Sequence, residues 1–300
     1  MDNRTFDKVK EKITNAAFGK NNQCFLLIDS TLKNYQSDTS LYDTLKNFKS
    51  YTVNFHQQDL NEALQLSLFP LSAMNNVDNE LLDKSIHHSL KEHKIENLDS
   101  GEGLSVCAWI STELTGEQLA EQIASSAVQS VTSGIDILIR YFDPSVFSPL
   151  MLMLDSWQIQ QLLSNINTWS YIDGDGIVQV VNGDGECKRK LNYSLGLTDL
   201  NLSEMNNVSV INVILRKYRK MEFINKLSER SAVMLLYPAL NYFYSFFSSS
   251  ESDVIEFGLD VLCAQRLFYQ DGVFDKYVNG NSSQKLLSYN YIKPMIFNKK

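Results

Sequence analysis

Hydrophobic residues in the first half of the chain fall into short unbroken runs separated by longer stretches with helical spacing. The runs QCFLLIDS (residues 23–30) and LSVCAWIS (residues 104–111) have apolar side chains at successive positions, which is typical of strands covered on both faces. Residues 51–55 and 64–71 give weaker strand signals, and the spacing predicts a helix over about 79–94. The pattern therefore indicates strands interleaved with helices.

The middle of the chain repeats this alternation with sharper boundaries. Thr115 and Gln118 match a capping box, in which each side chain bonds the other residue's orphan backbone N–H. They open a predicted helix, and the apolar run over 135–142 follows as a strand. Asp143 then suits an N-cap and Pro144 the first helical position, where its missing N–H costs nothing. Strand, helix and strand with short connections favour an α/β layer.

Arg140 stands inside this predicted strand, between Leu138 and Phe142 on one face. An unpaired guanidinium among apolar side chains is costly, so a carboxylate or several carbonyls should bond it. Asp143 and Asp29 are the two candidates, and the sequence does not choose between them. We interpret Arg140 as an internal tie between strands; the alternative is an arginine that contacts a partner.

The second half of the chain begins with a segment that contains two glycine-rich turn motifs. Residues 169–193 contain DGDG and NGDG, whose Asn-Gly and Asp-Gly pairs tolerate the positive φ of tight turns, and these predict a small β-meander. From about Ser203 the spacing is helical nearly to the end. The predicted fold is α/β (α+β). An N-terminal lobe over 1–195 has a mixed sheet, flanking helices and the meander, and a helical C-terminal lobe covers 196–300.

Composition narrows the partners and the compartment. Of 300 residues, 27 are Lys or Arg and 35 are Asp or Glu, and the net charge of −8 disfavours nucleic acid as a main partner. The cysteines are far apart in sequence and are expected to be reduced structural thiols. The polar first residues lack a signal peptide, and the most apolar stretch, 233–247, is shorter than the roughly 20 residues of a membrane span. We predict a cytoplasmic protein without a membrane span.

The sequence contains no recognisable enzyme or metal motif. His88 and Glu92 share a predicted helix face, but no further ligands are evident, and we interpret them as a solvated surface. DGDGIVQVVNGDGE places Ile177 and Val178 where an EF-hand loop needs a ligand and a glycine. Nucleophile and phosphate-loop motifs are absent. We therefore predict no catalytic residues, no metal, no cofactor and no small-molecule substrate.

Two features of the C-terminal lobe are candidates for protein binding. The densest basic cluster, RKYRK, lies on a predicted helix with an apolar opposite face; it is either simply solvated or a landing site for an acidic patch. The aromatic residues around 237–247 exceed one buried stripe, so some are candidates for a partner's groove. The candidate residues are Arg216, Lys217, Arg219, Lys220, Tyr242 and Phe246.

The run RYFDP, residues 140–144, resembles the Arg-aromatic-aromatic-Asp-Pro signature of the type VI secretion effector chaperones. Other landmarks follow the order of that family over roughly residues 20–175. FLLID resembles an early strand that ends in aspartate, LFPL loosely resembles a Pro-x-Leu segment, and a tryptophan lies downstream of the signature. The residues that match the family landmarks most closely are Asp29, Arg140, Tyr141, Phe142, Asp143, Pro144 and Trp169.

The chain departs from the family pattern at two places. Ser145 stands where the family usually has an arginine after Asp-Pro. In the LFPL segment Leu71 follows Pro70 directly, and Phe69 stands where glycine is often found. The contacts of that second arginine and the backbone geometry around Pro70 therefore do not carry over.

The resemblance implies a non-enzymatic adaptor or chaperone of the bacterial cytoplasm. Such proteins bind the N-terminal region of a secreted effector and help to load it onto the tip of the secretion spike. The implied partners are therefore that effector and the spike protein. Two other hypotheses compete with this one: a cytosolic hydrolase or transferase with a sequence-dispersed active site, and a scaffold that binds copies of itself.

Overall fold

The architecture is given by a computed structural model. It describes residues 3–20, 23–35, 38–100, 103–131, 134–185, 192–222, 225–247, 250–272, 274 and 288–297. The chain divides into two compact units, Met1–Leu197 and Thr198–Lys300.

The N-terminal unit is a sheet flanked by helices. Its strands are β1 (Gln23–Asp29), β2 (Tyr51–Thr52), β3 (Leu66–Ser72), β4 (Val106–Thr112), β5 (Val128–Ser130), β6 (Asp136–Leu138), β7 (Ile166–Ile172) and β8 (Val178–Asn182). Its helices are α1 (Asn3–Phe18), α2 (Ser40–Leu45), α3 (Gln58–Ala63), α4 (Asn76–Glu92), α5 (Ile95–Ser100), α6 (Gly116–Ala127), α7 (Pro144–Met153) and α8 (Ser156–Leu162), with a 3-10 turn at Ser30–Tyr35. Six strands form one sheet in the order β2-β3-β1-β4-β7-β8, and β5 pairs with β6 separately.

The centre of the sheet is buried on both faces. Every residue of β4 and β7 is buried, and in β1 only Gln23 is exposed. Ile28 of β1 and Trp109 of β4 belong to a core cluster that includes Ile13 of α1 and Ile86 of α4. The prediction of strands covered on both faces in the runs QCFLLIDS and LSVCAWIS is confirmed.

The α+β class is confirmed, but the main sheet is antiparallel throughout and not mixed. β1 runs opposite to both of its neighbours, β3 and β4. Helices do lie between strands in sequence, as α4 does between β3 and β4. β3 and β4 both run opposite to β1, so α4 connects two strands that point the same way, but β1 lies between them and every neighbouring pair is antiparallel. Alternation of strand and helix therefore indicated the class, whereas the predicted mixture of parallel and antiparallel neighbours is wrong.

The apolar run over 135–142 is a strand only within β6, so the prediction of one strand through Phe142 is wrong. After β6 the chain turns, and Asp143 N donates to Arg140 O at 2.9 Å. Arg140 therefore lies between a strand and a helix, and its side chain is 41% exposed. The cause is the helix that follows, because its N-cap requires a turn that an alternating pattern does not reveal.

The predicted starts of α6 and α7 are confirmed. Gln118 N donates to Thr115 Oγ1 and Thr115 N donates to Gln118 Oε1, which completes the capping box. Ser145 N donates to Asp143 Oδ1, and Pro144 is the first residue of α7. In both helices a side-chain oxygen satisfies an N–H that has no partner within the helix.

The predicted meander includes a hairpin of β7 and β8. Gly176 N donates to Asp173 O at 2.8 Å to close its turn, and Gly176 has a φ of +76°, which favours glycine. The last part of the predicted meander includes residues 186–191, which lie outside the described residues.

The C-terminal unit is helical in its described part. Its helices are α9 (Asp199–Asn206), α10 (Val208–Lys220), α11 (Glu229–Phe246), α12 (Glu251–Ala264) and α13 (Tyr289–Phe297), with a 3-10 turn at Phe268–Gln270. Phe243 of α11 and Phe257 of α12 are fully buried, with ring centroids 5.4 Å apart. These aromatic contacts join α11 to α12 in the core of the unit.

Asp253 fastens the start of α13 to α12. Its side chain is buried in the first turn of α12. It accepts hydrogen bonds from Tyr289 N at 2.9 Å, from Ser288 Oγ at 2.7 Å and from Asn290 Nδ2 at 2.6 Å. Asp253 therefore acts as a cap for a helix distant from it in sequence.

Asp253→Ala should loosen α13, because three hydrogen bonds to a charged acceptor are lost, at a cost of about 1–3 kcal/mol. Hydrogen exchange over residues 288–297 should then become faster. Glu251→Gln, at an exposed position of the same turn, is the control and should leave this exchange unchanged. Unaltered protection in Asp253→Ala would contradict the capping role.

Candidate functional site

Arg140 joins two carboxylates from different parts of the N-terminal unit. Its Nη2 lies 3.3 Å from Asp29 Oδ2, at the end of β1, and 4.0 Å from Asp143 Oδ2, at the N-cap of α7. The Asp29 side chain is 2% exposed, and its Oδ1 accepts from Thr31 N at 3.0 Å. The guanidinium also lies over the Phe142 ring, 5.7 Å from its centroid. Both candidate carboxylates are within reach, and Asp29 is the nearer.

Asp143 is held by the helix that it caps. Ser145 donates to Asp143 Oδ1 through its backbone N at 2.9 Å and its Oγ at 2.7 Å. Burial raises the pKa of Asp143, and the hydrogen bonds from Ser145 and the charge of Arg140 act in the opposite direction. Ser145 therefore supplies a hydrogen bond where the resembling family usually supplies a charge.

The aromatic residues of the RYFDP run belong to the core. Tyr141 and Phe142 are fully buried. Trp169 of β7 lies 5.6 Å from Tyr141 and stacks on Phe147 of α7, with ring centroids 5.2 Å apart. Residues that lie far apart in the sequence are thus brought together behind the turn that carries Arg140.

Cys24 and Cys107 are buried, and the pKa of each thiol is raised. Burial, with the charges of Asp29 and Asp143, raises the pKa of Cys107 well above its ordinary value. Burial and the charge of Asp78 likewise raise the pKa of Cys24. Because the thiolate is the reactive form, a thiol with a raised pKa is unreactive near neutral pH. Cys107 therefore lies beside the carboxylates as a packing residue.

A buried polar network between α4 and β4 contradicts the prediction of a solvated face at His88 and Glu92. His88 is 5% exposed and Glu92 is 4% exposed. Ser105 donates to Glu92 Oε1 through its N at 2.8 Å and its Oγ at 2.6 Å, and His88 Nε2 lies 3.5 Å from the same oxygen. Burial acts to raise the pKa of Glu92, but His88 and Ser105 outweigh it, so this pKa lies below its ordinary value.

The network fastens the beginning of β4 to the end of α4. Ser105 is fully buried, and its hydroxyl donates to the carboxylate and not to the imidazole, which is not the arrangement of an activated nucleophile. Helical spacing could have revealed the burial of this network. Ser85, His88 and Glu92 continue the apolar stripe of Leu81 along α4.

The basic cluster of α10 is partly used inside the C-terminal unit. Arg219 forms an ion pair with Glu229, in the first turn of α11, and the two side chains are 14% and 6% exposed. Lys217 and Lys220 are exposed at the end of α10, where cations suit the helix dipole. Arg216 is half-buried. The cluster is therefore not a uniform basic surface.

Tyr242 and Phe246 lie at the margin of the aromatic core, and both are half-buried. The Tyr242 ring stacks on Tyr269 at 4.4 Å and lies 4.7 Å from Phe246. Phe243 and Phe247, on the same stretch of chain, are fully buried. Most of the aromatic cluster is thus core.

A groove of about 440 Å³, here called the β2–α6 groove, runs between the edge strand β2 and the flank of α6. Its lining includes Thr52 and Asn54 on the strand side. On the helix side it is lined by Glu117, Ala120, Glu121 and Ala124. The groove has a backbone edge as one wall and small and acidic side chains as the other.

A larger cavity of about 870 Å³ lies where β1 begins and β3 and β4 end. Pro70 and Leu71, from the loosely matching LFPL segment, form part of its wall. Its charged lining residues are Lys20, Lys49, Asp78 and Glu113. Their signs are mixed, so the cavity does not favour one charge of ligand.

Comparison of the chain with known protein families, curated proteins and solved structures gives no match. No helix in the described ranges is long and apolar enough to cross a membrane. Among the same residues, no group of three or more His, Cys, Asp or Glu side chains could hold a metal ion. The function must therefore be argued from the geometry and from the family resemblance.

Arg140→Ala should lower the free energy of unfolding by about 1–3 kcal/mol, because the buried Asp29 carboxylate loses its cation. Lys46→Ala is the control in the same unit: Lys46 pairs with Asp43 on the surface, and its loss should cost about 1 kcal/mol or less. Chemical denaturation measures both variants. Equal costs would contradict the internal tie.

Glu92→Gln should reduce the amount of folding stability that is lost as the pH becomes acidic. Because the pKa of Glu92 in the folded protein is below its ordinary value of 4.5, the carboxylate stabilises the fold above that pH. This contribution is lost as the pH falls through the lowered pKa. Thermal unfolding from neutral to strongly acidic pH should show a smaller loss in Glu92→Gln than in the wild type. The exposed Glu80→Gln variant is the control and should lose as much stability on acidification as the wild type does. An equally large loss in Glu92→Gln would contradict a lowered pKa at Glu92.

Proposed function

We propose that the protein is a non-enzymatic adaptor that binds the N-terminal region of a type VI secretion effector in the cytoplasm and helps to load it onto the spike tip. The observation that carries the proposal is the meeting of the residues on which the family resemblance rests. Asp29 and Arg140 are 111 positions apart and form an ion pair, and Tyr141 contacts Trp169. The convergence of these residues supports the proposal.

The chemical groups of the same region favour binding of a partner over catalysis of a reaction. Arg140 is engaged by carboxylates, Cys107 is a buried thiol with a raised pKa, and Ser105 donates its hydroxyl to Glu92. Each of these groups makes its contacts within the N-terminal unit. The β2–α6 groove, in contrast, presents a strand edge that a partner can use.

The proposed mechanism is capture of a poorly stable segment on a preformed template. A segment that is disordered alone must lose conformational entropy on binding, and a rigid sheet edge lets backbone hydrogen bonds compensate for that loss. The held segment stays soluble until it is transferred, and a second surface of the adaptor contacts the spike. Affinity then comes from backbone pairing, and specificity from the side chains that face the protein.

Deletion of this chain from its bacterial host should abolish export of one effector and leave assembly of the secretion tube intact. Immunoblots of cells and medium measure the effector, the tube protein and the adaptor itself. We expect the tube protein in the medium as before, the effector missing from it, and the adaptor confined to the cells. Re-expression of the wild-type chain should restore export.

Capture of the tagged chain from native cytoplasm is the second readout and should recover the effector together with the spike protein. Effector export that is unchanged without the chain, or capture that recovers neither partner, would contradict the proposal. Loss of a hydrolytic or transferase activity on deletion, with export unchanged, would favour the enzyme hypothesis instead.

A further inference from the structure

We infer that the open edge of β2 binds an extended, basic segment of a partner as an additional strand of the six-stranded sheet. Only the identity of that partner as the effector rests on the proposed function. The recognition chemistry follows from the register of β2, the volume of the β2–α6 groove and the charges on its rim.

The register directs the backbone of Thr52 away from the sheet. In the described part of the chain, β2 has a neighbouring strand, β3, on one side only. Val53 N donates to Leu66 O at 3.0 Å, so these two residues form a hydrogen-bonded pair. Such pairs alternate along an antiparallel ladder with pairs whose N–H and C=O groups point outward. Thr52, opposite Ser67, is therefore an outward-facing residue.

The same alternation continues beyond β2. The N–H and the C=O of Phe55 both bond to the Asn61 side chain, at 2.7 Å each. Asn54, between the bonded residues Val53 and Phe55, is the next residue whose backbone points outward. Val53 and Phe55 are buried, whereas Thr52 and Asn54 are exposed. The edge thus offers two successive sets of backbone donors and acceptors, which is what an added strand requires.

The wall opposite this edge has room for a strand. Ala120 and Ala124 line the groove on the α6 side, and the two residues are 5% and 4% exposed. The start of α6 is held against β2, because a Cβ on Gly116 would lie 2.2 Å from Cδ2 of Tyr51. The groove of about 440 Å³ lies beside this contact, between residues 50–56 and the flank of α6. An added strand would lie about 4.8 Å from β2, with alternate side chains against α6.

The helix side of the rim favours positive charge, whereas the strand side includes His56 and, over the Tyr51 ring, Lys49. Glu117 and Glu121 are exposed on the helix side, next to Ala120 and Ala124. A lysine or arginine whose aliphatic stem covers an alanine can place its charged group at these carboxylates. The segment recognised should therefore have basic residues at alternate positions, directed at α6, and polar β-formers between them. An acidic segment would be repelled.

A second copy of this chain is a poorer occupant of the same edge. Pairing of β2 with β2 of another copy would bring a second Glu117 and a second Glu121 towards the first pair. Like charges brought together in this way oppose association. A partner of opposite charge fits better, and the net charge of −8 adds to its attraction.

The test uses the full chain and a labelled peptide of about eight residues in which lysine alternates with threonine. A matched peptide has glutamate at every lysine position. Fluorescence anisotropy should show binding of the lysine peptide that weakens with added salt, and about tenfold weaker binding or none for the glutamate peptide. Amide exchange by NMR should slow at Thr52 and Asn54 on binding.

Two substitutions at one position separate the backbone from the side chain. Thr52→Pro removes an N–H that points away from β3, so the ladder is kept while strand addition is blocked, and binding should be lost. Thr52→Ala keeps the N–H and should bind as the wild type does. Glu117→Lys combined with Glu121→Lys should reverse the preference between the two peptides. Unchanged far-ultraviolet circular dichroism shows that each variant is folded.

Failure of this inference and failure of the proposed function are distinguishable. If neither peptide binds, or if Thr52→Pro and Thr52→Ala bind alike, strand addition at β2 is overturned, even when native capture still recovers the effector and the spike. Peptide binding without slowed exchange at Thr52 and Asn54 overturns it too. Peptide binding with all the expected variant effects, but with no effector or spike captured, supports the edge site and refutes the secretion role.

Discussion

Asp29 is a carboxylate buried at the end of a central strand, and the arrangement around Arg140 depends on the need to pair it. Isolated buried charges are costly, so the turn after β6 must bring the guanidinium to within bonding distance of β1. The same turn ends at Asp143, the N-cap of α7, so the ion pair and the start of α7 lie next to each other. The start of α7 in turn determines that Phe147 stacks on Trp169 in β7. One ion pair thus aligns a loop, a helix and two strands.

A second buried carboxylate, that of Glu92, lies at the same end of the sheet. Asp29 N donates to Ser105 O at 2.8 Å, and Ser105 N and Oγ donate to Glu92. The end of β1, the beginning of β4 and the end of α4 are therefore joined through adjacent polar groups within the core. Such groups are rigid when satisfied and costly when broken. They hold these parts of the unit in place, whereas the edge strand β2 has a neighbouring strand, β3, on one side only in the described part of the chain.

The sequence predicted those features that depend on neighbouring residues. Thr115 with Gln118, and Asp143 with Pro144, define helix starts through local hydrogen bonds, and both are confirmed. Features that depend on tertiary contacts could not be predicted from the sequence. The direction of the strands, the choice of Asp29 as the nearer partner of Arg140, and the pairing of Arg219 with Glu229 all join distant segments. The burial of Glu92 was missed because a carboxylate beside a histidine in a polar stretch is usually solvated.

The central claim is that the guanidinium of Arg140 is an internal tie of a protein that holds a partner. A double-mutant cycle of Asp29→Asn and Arg140→Ala, measured by chemical denaturation, tests it most directly, since it isolates the energy of the pair from the cost of each substitution. We expect a coupling free energy of at least about 1 kcal/mol between the two residues. Additive effects of the two substitutions would contradict it, because Arg140 would then be free to act elsewhere.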